Sequence, residues 1–421
     1  MKKLMAVVTL TATLVATAFC EDAGFPMGLA LEDALRLTLE RNPQIRAARF
    51  AVQAANGRRL QAGTIPNPTL SAEVEDFGGS GESRGFDTAQ TTVAFEQTIE
   101  LGGKRTARKR TTTAEMKLTE WAMDVRRLDV IEETTQHFVN ALAAQEELAL
   151  SQEAWQMAEN IYQTVSNRVA AGKDAPADEA KARAELALAK LTADRARSRL
   201  TVSRKVLCAM WGDSVPAFES VRGDLAKLAH GVPEAALLAE VMTRSPAWVR
   251  WTDEIGAAEW RLRSARRDRI PDLNVGAGIR QYKAENSQAF VAGAGVELPI
   301  FNRNRGSILA AQAELERKRA EQETAQTALR VELATAHELL TTMQRAAVTM
   351  AQDALPAAEQ AFAAGRAAYA SGKIGYLDIQ DARRSLIEMR RRQIDILAEY
   401  HHAVAQVERL AGLGLGTIKQ K

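Results

Sequence analysis

Asp378 and Asp381 stand three residues apart in the segment GKIGYLDIQDAR (372–383), a spacing that puts both carboxylates on one face of a helix. Carboxylates paired in this way draw cations toward them, although acids at a helix start are also ordinarily stabilised by the helix dipole. No nucleophile, base or second carboxylate accompanies them in an enzyme-like set. The five histidines, His137, His230, His337, His401 and His402, form no metal-site spacing with the two cysteines, Cys20 and Cys208, and the adjacent His401 and His402 point to different faces of a helix. These residues predict no reaction, no cofactor and no bound metal.

The acidic segment has a partner. GKDAPADEAKAR (172–183) and GKIGYLDIQDAR (372–383) share Gly172/Gly372, Lys173/Lys373, Asp178/Asp378, Ala182/Ala382 and Arg183/Arg383 at an offset of 200 residues. Other landmarks recur at nearly that offset. Arg41-Asn42-Pro43 answers Arg244-Ser245-Pro246, Ile65-Pro66-Asn67 answers Ile270-Pro271-Asp272, and FEQTIELGGKR (95–105) answers GVELPIFNRNR (295–305). The chain of 421 residues therefore reads as a tandem duplication, with residues 19–220 and 221–421 as its two repeats.

Residues 1–18 read as a secretory signal peptide: Lys2 and Lys3, an uncharged apolar run from Leu4, and Ala16-Thr17-Ala18 before a cleavage point. A retained membrane helix is the alternative, but the run is shorter than the ~20 residues that cross a bilayer. Cys20 raises lipid attachment, against which stands Phe19, where a small residue normally precedes a lipidated cysteine. The net charge of +2, with 26% charged residues, lacks the basic footprint of a nucleic-acid binder. Arg105–Arg110 and Arg390-Arg391-Arg392 read as solvated helix faces.

The elements that must position the paired acids are long. From Lys104 to Ala171 there are 68 residues with neither Gly nor Pro, enough for a helix of about 100 Å. Similar stretches cover Ala177–Trp211, Ser307–Leu355 and Tyr376–Ala411, so each repeat predicts a helical hairpin, over 104–211 and 305–411. Gly172 with Pro176, and Gly372 with Gly375, mark the hairpin tips. Pro356 predicts a bend, near a contact with the short helices of the mid-section. Between the helices four segments alternate with period two, at about 68–76, 88–99, 271–282 and 288–299. Leu70, Ala72 and Val74 alternate with Ser71, Glu73 and Glu75, and Leu273, Val275, Ala277 and Ile279 with Asn274, Gly276, Gly278 and Arg280. Strands of this length suit a membrane, or else half-buried surface hairpins. In a membrane four strands cannot leave open edges, so they would require closure by further copies.

Signal peptide, duplication, strand pairs and helical hairpins together resemble the TolC-type outer-membrane efflux proteins along the whole mature chain. FEQTIELGGKR, IPNPTLS and YASGKIGYLDIQDAR carry the local likeness, and the first resembles the cation-efflux branch of Czc and Cus type. The resemblance implies an α+β membrane protein of the bacterial outer membrane, a homotrimer. Each chain would give four transmembrane β-strands to one twelve-stranded barrel and its helical hairpins to a periplasmic tunnel. It implies a passive exit duct docked, through a periplasmic adaptor, on an inner-membrane pump of resistance-nodulation-division type. Heavy-metal cations are the first expectation for cargo; organic toxicants, secreted polypeptides, or a periplasmic coiled-coil scaffold are the alternatives.

The same resemblance assigns roles. Asp378 and Asp381 would ring the periplasmic mouth as a cation gate. Asp178 and Tyr369 would form a latch by a phenol-to-carboxylate hydrogen bond, although Ile374 stands where a basic gate residue can sit and Lys373 could substitute. Gly172, Lys173, Arg183, Gly372, Lys373 and Arg383 would be exposed at the tips for adaptor docking; helix capping and solvated charge are the plainer account.

Overall fold

The computed structural model describes residues 28–229 and 231–412. The expected signal peptide, Cys20 and His230 lie outside the described residues.

Each half begins with a short strand and two short helices. In the first half these are β1 (Leu29–Ala30), α1 (Leu31–Arg41) and α2 (Pro43–Ala62). In the second they are β4 (Val221–Arg222), α5 (Glu234–Arg244) and α6 (Pro246–Arg267), and β1 pairs with β4 in parallel. Asn42 shows why the chain turns between α1 and α2. Proline at the first position of α2 has no N–H to satisfy, and the Asn42 side chain accepts from the amides of Gln44 (2.8 Å) and Ile45 (3.1 Å). The other end of that amide donates to the Met210 carbonyl at 2.7 Å, fastening the start of the half to its finish.

Two antiparallel strand pairs follow these helices: β2 (Thr69–Glu75) with β3 (Gln90–Ile99), and β5 (Leu273–Tyr282) with β6 (Ser287–Val296). They join into one sheet of order β2-β3-β5-β6, with β3 and β5 paired from Gln90↔Tyr282 to Ile99↔Leu273. All four expected strands are present, shifted at their ends by a few residues.

The helical hairpins run away from this sheet. The first is α3 (Lys104–Ala170) and α4 (Pro176–Ala209). The second is α7 (Arg305–Thr349), a single π turn (Met350–Ala354), α8 (Leu355–Ala370) and α9 (Tyr376–Ala411). The π turn ends at Ala354, two residues before Pro356. The proline ring crowds the carbonyl of residue 352, four positions earlier, and has no N–H to give it, so the local helix widens. The turn packs against α9.

Apolar cores recur along this length among the described residues. Near the join of the halves, Leu29, Val130, Phe138, Leu142, Leu207, Trp211 and Val221 pack together. A second core unites α5, α7 and α9 through Leu237, Val241, Leu333, Tyr400 and Val407. Each fully buried aliphatic side chain there contributes about 1.5–3 kcal/mol. At the far end Ile161, Val165, Ala182, Tyr369, Tyr376 and Ile379 draw the two tips into one cluster.

Candidate functional site

The strand register sorts the sheet into two unlike faces. Leu70, Phe95, Ala277 and Ala292 lie in one row across the four strands, and Ala72, Val93, Ile279 and Phe290 in the next. Phe290 is 92% exposed and Leu70 73% exposed, so this apolar face is bare within the chain. The opposite face carries Glu73, Glu75, Glu96, Thr92, Gln90 and Arg280 among the glycines Gly276, Gly278, Gly293 and Gly295. Arg280 is held there by Glu75 (3.3 Å) and by the Thr92 hydroxyl, to which its Nε donates at 2.9 Å. Gly278 admits no side chain: a Cβ would stand 2.4 Å from the Val93 carbonyl oxygen.

The passage from the sheet into α3 explains FEQTIELGGKR. Gly102 and Gly103 both have positive φ, and Arg267 donates to both their carbonyls at 3.1 Å. Asp272 accepts from the Leu101 amide and pairs with Lys104 at 2.9 Å. Glu100 takes a two-pronged contact from Arg108, which also donates to the Ala62 carbonyl.

At the tips the repeated letters build the same turn twice. Gly172 (φ +67°) and Gly372 (φ +75°) take the left-handed conformation. The amides of Lys173 and Lys373 close back onto the carbonyls of Arg168 and Ala368, each at 2.9 Å. Gly172, Lys173, Gly372, Lys373 and Arg183 are exposed, as expected. Arg383 is not. It is 6% exposed and donates to Gln380 (3.1 Å), to the Ala154 carbonyl (3.4 Å) and to Glu185 (3.2 Å), tying α9 to both helices of the first hairpin. Burial lowers its pKa, against the opposing pull of Glu185. Arg384 completes the bridge on the same carboxylate. Arg390 likewise spans hairpins, reaching Glu153 on α3 and Glu359 on α8, so it is more than a solvated charge.

The expected pairing of Tyr369 with Asp178 is also corrected. Tyr369, 3% exposed, donates its hydroxyl to Asp174 at 2.7 Å. Arg168 grips the same carboxylate through Nε (2.8 Å) and Nη2 (2.9 Å), and its third nitrogen donates to the Tyr369 carbonyl at 3.2 Å. Hydrogen bonding from Arg168, then from Tyr369, holds the Asp174 carboxyl below its usual range; burial, then the bond to Asp174, pushes the Tyr369 hydroxyl up. Asp178 instead pairs with Lys181 one turn on, at 3.3 Å. The turn is the reason: the left-handed Gly172 folds residues 173 and 174 back over the end of α3, whereas Asp178 already lies inside α4.

Asp378 and Asp381 are both exposed at the start of α9. Asp378 accepts from the Gly375 amide at 2.9 Å and so caps the helix, while Asp381 projects without a hydrogen bond or ion pair among the described residues. Among the described residues no three His, Cys, Asp or Glu groups are placed to hold a metal ion, and no helix is long and apolar enough to cross a membrane.

The Outer membrane efflux protein family matches residues 34–213 and 241–413, once across each half. The chain belongs to that family. It is 33% identical over 402 residues to the cobalt-zinc-cadmium resistance protein CzcC of Cupriavidus metallidurans, covering 96% of this chain and 94% of that one. It is 30% identical to the nickel and cobalt resistance protein CnrC of the same organism, over 72% of this chain and 73% of the relative. Its place is thus in the cation-efflux branch of the TolC-type proteins. The fold is shared with the solved CusC structure at a TM-score of 0.77 and 19% identity, covering 91% of this chain and 92% of that one.

Proposed function

We propose that the protein is the outer-membrane exit duct of a tripartite efflux system, passing heavy-metal cations from an inner-membrane pump and a periplasmic adaptor to the exterior. The observation that carries this reading is the two-faced, open-edged sheet. One face is apolar and bare, as lipid contact demands; the other bears carboxylates and glycines, as a wide aqueous lumen demands. The unpaired outer edges of β2 and β6 favour closure by further copies, and three copies would give twelve strands. Exposed apolar residues on α4 (Leu188, Leu191, Val202, Val206) and α7 (Leu309, Val331, Leu339, Val348) supply matching faces for the helical wall. A periplasmic scaffold would have no use for the apolar sheet face.

Within that reading Asp378 and Asp381 form a ring of carboxylates at the periplasmic mouth, and the exposed tip residues meet the adaptor. Metal cargo is supported by the named resistances of the relatives. A deletion strain tests it: sensitivity confined to cobalt, zinc, cadmium or nickel supports metal cargo, whereas sensitivity to dyes, detergents and antibiotics alone keeps the duct and replaces the cargo. Neutralising Asp378 and Asp381 should reduce cation selectivity in planar bilayers, and unchanged selectivity would remove them from the mouth.

A further inference from the structure

We infer that Glu75 holds Arg280 flat against the wall of the barrel lumen and so keeps the outer part of the duct selective for cations; this rests on the duct reading above. The four strands carry four charged residues, Glu73, Glu75, Glu96 and Arg280, and the register puts all of them on one face. Three carboxylates against one guanidinium leave that face net negative, as passage of cations requires. Arg280 is the exception, because a free guanidinium aimed into the lumen would repel such cargo.

All three guanidinium nitrogens are engaged along the sheet. Nε donates to the Thr92 hydroxyl at 2.9 Å, one terminal nitrogen donates to the Gln90 side-chain oxygen at 3.4 Å, and the other meets Glu75 at 3.3 Å. Gln90 donates its own amide to Asp76 at 2.7 Å, which leaves its oxygen for Arg280. On the other flank stands Ala289, whose side chain offers no acceptor, so the arginine leans across β3 to reach β2. It lies over Thr92, which is only 7% exposed.

Position gives this arrangement its consequence. Arg280 is two residues from the end of β5, at the border of the sheet remote from the helices, and the next residues on its face toward the helices are Gly278 and Gly276. A released arginine would therefore project into a smooth part of the lumen. A charge with its opposite 3.3 Å away is largely cancelled at a distance, whereas a free one acts over a Debye length of about 10 Å at 0.1 M salt. Thr92 and Gln90 already tie the arginine to β3; the carboxylate of Glu75 adds the cancellation. Glu73 and Glu96 make no ion pair among the described residues, so the attraction for cations falls to them.

The test is the reversal potential of the purified, assembled protein in planar bilayers, with the dilute potassium chloride on the strand-turn side. Glu73→Gln and Glu75→Gln delete the same charge from the same strand, but only the second frees Arg280. The permeability ratio of potassium over chloride should fall at least about twofold further in Glu75→Gln. It should return to the parent value in Glu75→Gln combined with Arg280→Gln, which carries the parent's net charge, and should rise in Arg280→Gln alone, where Glu75 is bared. Loss of a merely structural strap would give neither the return nor the rise. Equal ratios in Glu73→Gln and Glu75→Gln would overturn the inference and leave the duct standing, as would an unchanged ratio in Arg280→Gln. A parent protein that forms no pores would overturn the duct, and this inference with it.

Discussion

Arg183 and Arg383 occupy the same position of the repeated tip element, yet replacing each by alanine should have unequal consequences. Arg383→Ala deletes hydrogen bonds to Gln380, Ala154 and Glu185 and leaves Glu185, 20% exposed, to Arg384 alone. Breaking a buried pair costs about 3–5 kcal/mol when the survivor is stranded. Here Arg384 remains and Glu185 reaches water, which brings the expected cost to about 2–3 kcal/mol, or about 30- to 150-fold in a local opening equilibrium. Arg183 is exposed and should stay within about 0.5 kcal/mol on substitution. Hydrogen exchange of the assembled protein reads both. Amides near 376–386 and 182–188 should lose protection in Arg383→Ala and keep it in Arg183→Ala. Comparable exchange in the two variants would refute the bridging role of Arg383 and restore the symmetry that the repeated letters suggest.

Gly278→Val should cut the yield of assembled protein, since its Cβ meets backbone that cannot move aside, a cost of about 1–3 kcal/mol. Gly293→Val, on the same face with open space around it, should assemble normally; gel mobility of unheated samples distinguishes them. The contact between the two tips should be insensitive to pH across the neutral range, read as hydrogen-exchange protection of the amides around 168–174 and 369–373. The depressed Asp174 pKa means its contribution is complete above the ordinary carboxylate range and fades only as pH falls below about 4, while the raised Tyr369 pKa keeps its contribution complete up to about pH 10. Loss of that protection on mild acidification to about pH 6 would contradict this.

Much of the architecture was legible because it rests on periodicity and punctuation. Two-residue alternation placed Leu70 and Ile279 each on the apolar side of its own strand before any strand was paired, and the absence of Gly and Pro marked the long helices. The partners at the tips were not legible. Asp178 was assigned by the family resemblance, and the repeat could not point to Asp174, which is answered by Ile374 in the second copy. Its signal was local: an arginine six residues earlier, across a left-handed glycine. Nor could identical letters tell that Arg183 meets water while Arg383 is enclosed by the other hairpin, because burial depends on which helix lies opposite. The π turn at Met350–Ala354 had only Pro356 to announce it.

The sheet ends at β2 and β6 with free backbone groups on both outer strands, and its apolar face is bare. A single chain of this design is thermodynamically incomplete. Lipid can cover the apolar face, but only further strands can seal the edges, and both enter the unfolding equilibrium by mass action, so melting temperature should climb with protein concentration and fall on dilution into detergent. Robustness here is a property of the population of chains, and a cell that makes too few of them would lose the folded form along with the activity.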